Sequence, residues 1–223
     1  MKDIKEYMYE GLLKGQQSTI EDGDKVVFEL IEEFLKENYL GKWIISEKPN
    51  KDGLYEVSSN ESVRVKNTKI TSLTNDLFIW TSVKGHFGCP YCKELKSLEG
   101  APKEVESSFI CPYCNSLKTL EGAPKEVGGN FSCPYCKELK SLEGAPKIVE
   151  GNFDCSSCNS LKTLEGAPKK VEGYFDCSNC NGLKSLEGAP KKVEGYFDSS
   201  NCGKSFIEDD IKKVSKVNTN IYC

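Results

Sequence analysis

The sequence is poor in the side chains that read nucleic acids. Among its 223 residues Arg64 is the only arginine, and 30 basic residues stand against 34 acidic ones, so the net charge is −4. Arginine supplies most bidentate contacts to guanine and phosphate, and nucleic-acid-binding domains are usually basic. We therefore expect no nucleic-acid partner.

Features of membrane proteins, secreted proteins and common enzymes are also missing. No apolar run approaches the roughly 18 residues of a membrane span. The opening MKDIKEYMYEGLLKG contains acidic residues and no hydrophobic signal-peptide core. His86 is the only histidine, and no GxSxG, HExxH or P-loop pattern occurs. We expect a cytoplasmic, non-enzymatic protein with no membrane partner, no cofactor and no small-molecule substrate.

Cysteine, in contrast, is abundant and regularly spaced. All but two of the 12 cysteines lie in CxxC pairs, each pair beginning 22 residues after the last. The pairs are Cys89/Cys92, Cys111/Cys114, Cys133/Cys136, Cys155/Cys158 and Cys177/Cys180. In a sixth copy Ser199 replaces the first thiol and Cys202 is the second. A fixed period of this length is typical of a stacked repeat architecture.

The other columns of the repeat keep the same period. The unit is F-x-C-x-x-C-x-x-L-x-x-L-E-G-A-P-K-x-V followed by a short polar link. Before the cysteines, Val65 falls in the Phe column, and Leu73 and Val83 continue the Leu and Val columns. After them, Val217 and Ile221 keep the spacing. The pattern predicts about eight strand-like rungs from residue 65 to residue 221.

These columns resemble the leucine-rich repeat in its cysteine-containing form. Phe and the first Cys take the paired L-x-L positions, and the second Cys takes the Asn/Cys position. Alternation in F-x-C points both side chains inward from a short strand, and EGAP turns the chain back. We predict a mainly β repeat solenoid, a right-handed coil with one parallel sheet of about eight short strands.

The ends of the chain read as caps. Residues 1–60 predict an α+β cap with two helices and a β-hairpin, residues 61–204 hold the repeats, and residues 205–223 predict a short helix and a last strand. Ser205 and Glu208 have the spacing of a capping box. Such caps cover the apolar ends of a repeat stack.

The SLEGAPKxVxGxFxC repeat also resembles hypothetical proteins of crAss-like gut phages and their Bacteroides-type hosts. The opening M-K-x-x-K-E-Y-x-x-E-G is similar to a segment that begins many crAss-like phage proteins. The resemblance implies a phage-encoded protein that acts in the host bacterial cytoplasm or in the virion. It implies no known activity.

The CxxC pairs allow three interpretations. Spacing of the form C-x2-C-x18-C-x2-C fits a zinc site, and CPYC resembles the glutaredoxin active site. Five complete pairs cannot all be shared out two to a site, and the first thiol falls inside a strand, where glutaredoxin chemistry is not expected. We favour structural thiols that pack as small apolar side chains. They are Cys89, Cys92, Cys111, Cys114, Cys133, Cys136, Cys155, Cys158, Cys177, Cys180 and Cys202.

Outward strand positions supply the candidate binding face. Asp154, Asp176 and Asp198 should form a column beside Tyr174 and Tyr196. Stacked carboxylates repel one another, which raises their pKa values or attracts a cation. We predict a scaffold that presents this face to a protein partner. The alternatives are a solvated face kept polar for solubility, a multi-thiol protein with Zn at its CxxC pairs, and a virion-associated structural protein targeted by its N-terminal helix.

Overall fold

The computed structural model describes residues 20–223, which form a mainly β repeat solenoid of about eight turns. The predicted first helix near residues 1–14 lies outside the described residues. The two helices described are α1 (Ile20–Asn38) and α2 (Glu208–Val214). The strands are β1 (Tyr39–Leu40), β2 (Ile44–Ile45), β3 (Tyr55–Ser59), β4 (Val63–Val65), β5 (Phe78–Val83), β6 (Phe87–Gly88), β7 (Glu104–Val105), β8 (Phe109–Ile110), β9 (Glu126–Val127), β10 (Phe131–Ser132), β11 (Ile148–Val149), β12 (Phe153–Asp154), β13 (Lys170–Val171), β14 (Phe175–Asp176), β15 (Lys192–Val193), β16 (Phe197–Asp198), β17 (Lys216–Val217) and β18 (Ile221–Tyr222).

The strands form two sheets, not the single sheet that the sequence pattern predicted. Sheet A has the order β1-β4-β6-β8-β10-β12-β14-β16-β18, and sheet B has the order β17-β15-β13-β11-β9-β7-β5-β3-β2. Within the repeats all neighbours are parallel and offset by one 22-residue period, as in Phe131↔Phe153 and Val149↔Val171. The second sheet arises because the segment after the Leu columns is too short for a helix. Its Val positions instead align with those of the next turn.

The repeated apolar columns fill the space between the sheets. The Phe rings stack along the axis, with centroids 5.3 Å apart between Phe131 and Phe153. The two Leu columns, the Val column and the paired cysteines are buried in every complete repeat. One turn cannot cover this apolar surface by itself, so the stack is the unit of stability.

Helix α1 and two antiparallel strands close the N-terminal end. Ile31 and Leu35 of α1 are fully buried against the first turns. Strand β1 pairs antiparallel with β4, and β2 pairs antiparallel with β3. In the first rung Val63, not Val65, pairs with Phe87, because this first turn is two residues longer than the 22-residue repeat. Val65 pairs with Tyr39 of β1 on the opposite edge of β4.

The C-terminal end is closed by α2 and the last two strands. Val217 pairs with Val193 and Ile221 with Phe197, so the predicted continuation of both columns is confirmed. Helix α2 begins after Ile207, not at the predicted capping residue Ser205. The Ile207 N–H donates to the Asp210 carboxylate at 3.2 Å, which replaces the contact expected from Ser205 and Glu208. The limits of the three predicted segments, at residues 60 and 204, stay predictions.

Candidate interaction surface

The outward position of each sheet A strand forms one column along the solenoid. In the sheet A strands from β4 onward, the side chain at the Phe position is buried, or half-buried in β18, and the next residue is more exposed. Parallel pairing places successive outward residues side by side. In order they are Arg64, Gly88, Ile110, Ser132, Asp154, Asp176, Asp198 and Tyr222.

Three consecutive carboxylates lie in this column as the sequence predicted. Asp154 pairs with Asp176, and Asp176 with Asp198, in parallel register. We call these three residues the acidic column. Among residues 20–223, no ion pair involves any of them. Their charge is therefore available to a ligand or a partner.

The following serines hold the carboxylates in place. The backbone N–H of Ser156 donates to Asp154 Oδ1 at 2.9 Å and the Ser156 hydroxyl at 2.7 Å. Ser200 binds Asp198 in the same way, at 2.8 and 2.6 Å. This side-chain-to-backbone turn is typical of Asp two residues before its donor. It fixes the direction of each carboxylate before any partner arrives.

The surroundings of Asp176, the central carboxyl group, disfavour its ionised form. Burial raises the pKa of Asp176, and the charges of Asp154 and Asp198 raise it further. Hydrogen bonds from Ser178 oppose this rise. An opposite charge placed against the column would relieve the repulsion.

A tyrosine stack runs beside the acidic column. The rings of Tyr174 and Tyr196 are nearly parallel, with centroids 4.7 Å apart. Tyr222 meets Tyr196 edge-on at 5.4 Å and pairs with Asp198, so it occupies the next outward position after the acidic column. The sequence pattern predicted Tyr174 and Tyr196 beside the carboxylates but not Tyr222. The signal for Tyr222 is its position between Ile221 and Cys223, which continue the F-x-C spacing.

A second tyrosine stack, also missed from the sequence, occupies the CPYC turns. Tyr91, Tyr113 and Tyr135 stack at 4.9 and 4.6 Å, with interplanar angles of 3° and 8°. All three have φ of 60°, in the left-handed region that side chains of this size rarely adopt. Ser157, Asn179 and Asn201 take the same position in later turns. The signal for this stack is the Tyr that recurs at the same position of the three CPYC turns.

Cys92 begins the second cysteine column with no cysteine in the turn before it. From the next repeat onward, the second cysteine has a specific hydrogen-bonding role. Its thiol donates to the carbonyl of the first cysteine in the preceding turn. The Sγ to O distances are 3.1 Å for Cys114 to Cys89, 3.4 Å for Cys136 to Cys111, 3.3 Å for Cys158 to Cys133, 3.3 Å for Cys180 to Cys155 and 3.2 Å for Cys202 to Cys177. The carbonyls on either side already accept hydrogen bonds from backbone N–H groups. Around Cys111, for example, the Ile110 carbonyl accepts from Cys89 and the Pro112 carbonyl from Tyr91. The thiol thus pairs a buried carbonyl that the backbone ladder leaves open.

Ten of the 12 thiols are buried, and burial disfavours the thiolate form of several of them, whereas hydrogen bonds from neighbouring thiols lower the pKa of Cys114, Cys133 and Cys202. Burial raises the pKa of Cys155 and Cys177 well above its ordinary value and that of Cys180 to about 12. The thiolate is the form that attacks disulfides and binds metals. Among residues 20–223, no group of three or more His, Cys, Asp or Glu side chains has the arrangement of a metal site.

Comparison of the chain with protein-family models, with curated proteins and with solved structures found no match. The repeating solenoid is therefore established by its own architecture. Membership of the leucine-rich-repeat family and a phage origin stay predictions. Neither helix of the described chain has the length and hydrophobicity that crossing a bilayer requires.

Proposed function

We propose that the protein is a non-enzymatic interaction scaffold that presents sheet A to a protein partner. The observation that carries the proposal is the acidic column of Asp154, Asp176 and Asp198, fixed by serines and free of ion pairs among the described residues. The stacked rings of Tyr174 and Tyr196 supply an aromatic border. Tyrosine is enriched at the energetically important positions of protein interfaces.

The proposal extends to origin and location. We infer that the protein is phage-encoded and acts in the cytoplasm of an infected bacterium. What supports this is the resemblance of the SLEGAPKxVxGxFxC repeat and of the N-terminal segment to proteins of gut phages. The virion-associated alternative has the same support, and no contact among the described residues favours it.

Two observations favour the scaffold over the zinc-binding alternative. Five second-column thiols already donate to carbonyl groups of the preceding turn. In addition, Ser199 replaces a first-column thiol and is buried in the same register. A packing role tolerates that replacement, whereas a four-thiolate site would lose a ligand.

The test compares three immobilised proteins exposed to an extract of the infected host bacterium. The first is the unaltered chain, and the second carries Asp154→Asn, Asp176→Asn, Asp198→Asn, Tyr174→Ser and Tyr196→Ser. The matched control carries Glu99→Gln, Glu121→Gln and Glu143→Gln, which removes the same charge from exposed positions in the EGAP turns. We expect a partner on the unaltered and control proteins that the second variant loses, with affinity then measured calorimetrically on the purified pair. Equal retention on all three would refute the proposal.

A further inference from the structure

Sheet B carries a basic column opposite in sign to the acidic column of sheet A. Lys170 of β13 pairs with Lys192 of β15, and Lys192 pairs with Lys216 of β17. Each lies next to an inward Val, so the three side chains point outward from consecutive rungs. We call them the basic column.

The surroundings of this column keep it basic. Lys170 and Lys192 form exposed ion pairs with Glu172 and Glu194, two residues further on. Exposed pairs of this kind contribute little free energy and exchange partners easily. In the three strand segments themselves, residues 169–172, 191–194 and 216–217, five lysines stand against these two glutamates: Lys169, Lys170, Lys191, Lys192 and Lys216. The excess of three positive charges equals the charge of the acidic column.

The two columns also share one spacing, because both sheets are built from the same turns. Neighbouring strands in a sheet lie about 4.8 Å apart, so acidic and basic side chains repeat at the same interval. An extended peptide repeats its same-side residues at about 6.8 Å, and a helix at about 5.4 Å. An extended peptide is therefore out of register by about 4 Å at the third rung, and a helix, whose turns differ from the rungs by about 0.6 Å, drifts more slowly. A second solenoid of this chain stays in register across all three.

We propose that the acidic column of one molecule binds the basic column of a second copy. Asp154, Asp176 and Asp198 of the first then meet Lys170, Lys192 and Lys216 of the second. The inference rests on the proposed function, since it names the partner of the same face. Because the contact joins two different surfaces, each molecule keeps one column free, and association continues beyond the dimer.

Charge-reversal variants test the pairing directly. The acid-reversed variant carries Asp154→Lys, Asp176→Lys and Asp198→Lys, and the base-reversed variant carries Lys170→Glu, Lys192→Glu and Lys216→Glu. Sedimentation velocity at about 20 mM salt, where charges act over some 20 Å, measures association. We expect the unaltered protein to associate, each variant alone to be monomeric, and an equimolar mixture of the two to associate again. About 0.5 M salt should dissociate all assemblies, since screening then acts within a few ångströms.

Controls separate this result from misfolding and from net charge. Glu99→Lys, Glu121→Lys and Glu143→Lys make the same charge change on another edge and should leave association unaltered. If circular dichroism shows that a reversed variant is unfolded, the neutral variant Asp154→Asn, Asp176→Asn and Asp198→Asn replaces it. We expect that variant to lose at least tenfold in the affinity of self-association. A monomeric unaltered protein at low salt, or a mixture that stays monomeric, overturns the inference.

The outcome also distinguishes this inference from the proposed function. If the unaltered chain is monomeric but the Asn/Ser variant of the face still loses a captured partner, self-association is wrong and the scaffold stands. If capture is unaffected by that variant and the chain is monomeric, both are wrong.

Discussion

At the scale of single residues, the two cysteines of each pair differ in their role. The second donates its thiol to a buried carbonyl of the preceding turn, as Cys136 does to Cys111 at 3.4 Å. The first packs in line with the Phe column, although Cys177 also donates to the Asp198 carbonyl at 3.3 Å, and Ser199 shows that the first thiol is dispensable at one turn. This division explains why the sixth copy keeps Cys202 but not its neighbour.

Truncation of the two cysteines of one repeat should therefore have unequal effects. Cys136→Ala leaves the Cys111 carbonyl buried without a donor, whereas Cys133→Ala removes a side chain of the same size from the same core. We expect Cys136→Ala to lower the free energy of unfolding by about 1 kcal/mol more than Cys133→Ala does, since an unpaired buried acceptor costs about 1–3 kcal/mol and a thiol is a weak donor. Urea denaturation measures both, and equal losses would contradict the assigned role.

Residue columns were the part of the site most easily predicted from sequence. Side chains in parallel register repeat with the chain period, so Asp154, Asp176 and Asp198 had to align once a strand was assigned. The thiol-to-carbonyl contacts were not predictable, because they depend on which carbonyls the ladder leaves open. The left-handed backbone at Tyr113 was equally hidden, since Tyr does not normally mark that conformation.

At the scale of the elements, the EGAP turn limits how closely successive turns approach. Gly144 has φ of +86°, and a Cβ there would lie 2.3 Å from the backbone N of Glu121 in the preceding turn. Gly53 in the hairpin loop has φ of +77°, but a Cβ added there would have no atom within 4 Å. The two glycines share a backbone conformation and differ in crowding.

Substitution of these two glycines by alanine separates the cost of a left-handed backbone from the cost of a steric clash between turns. Gly53→Ala pays only for the left-handed backbone, about 1 kcal/mol. Gly144→Ala must also push two turns apart, and we expect a loss of more than about 3 kcal/mol in the free energy of unfolding. Thermal denaturation of both variants checks this. Similar losses at the two positions would mean that the turns are not packed as described.

The acidic column makes stability depend on pH. Burial and its two neighbours raise the pKa of Asp176, so the folded state holds that proton more tightly than the unfolded chain. Raising the pH through these two pKa values therefore costs stability. Asp176→Asn should raise the free energy of unfolding at pH 7 by on the order of 1 kcal/mol, and the gain should vanish as pH falls below the unfolded pKa, near 4.

Glu143→Gln, at an exposed position of an EGAP turn, is the matched control for that measurement. Melting temperatures recorded between pH 7 and pH 3 give the difference between each variant and the unaltered chain. A gain at pH 7 in the control as large as that of Asp176→Asn would assign the effect to net charge. A gain for Asp176→Asn that persists at pH 3 would show that repulsion in the column is not its cause.

The type of the elements was predictable from the sequence, but the number of sheets and the register of the first rung against the second were not. The period and the F-x-C alternation define the rungs, whereas sheet B depends on two-residue Val strands too short to recognise in a sequence. Val65 was assigned to the Phe column by counting back one period, yet Val63 pairs with Phe87. The count failed because the turn from Val63 to Phe87, where the repeat meets the cap, is two residues longer than the 22-residue period.

At the scale of the whole molecule, each turn contacts its neighbours and the stack has no fixed length. Residues 89–103 and 133–147 are identical, so deletion of residues 111–132 joins equivalent positions. We expect that variant to fold, with the same circular dichroism per residue and a melting temperature several degrees lower, since one interface is lost. Deletion of residues 111–121 is the control, because half a turn puts every column out of register. If both deletions unfold the chain, the turns are not interchangeable.

The central claim is that the cysteines build the stack and that recognition belongs to the outward face of sheet A. The most direct measurement compares the native mass of the protein, purified without chelator, with its denatured and reduced mass. We predict equal masses per chain and 12 thiols that react once the chain is unfolded. A native mass higher by one or more zinc ions, lost on chelation together with the fold, would contradict the account and make the CxxC pairs the functional site.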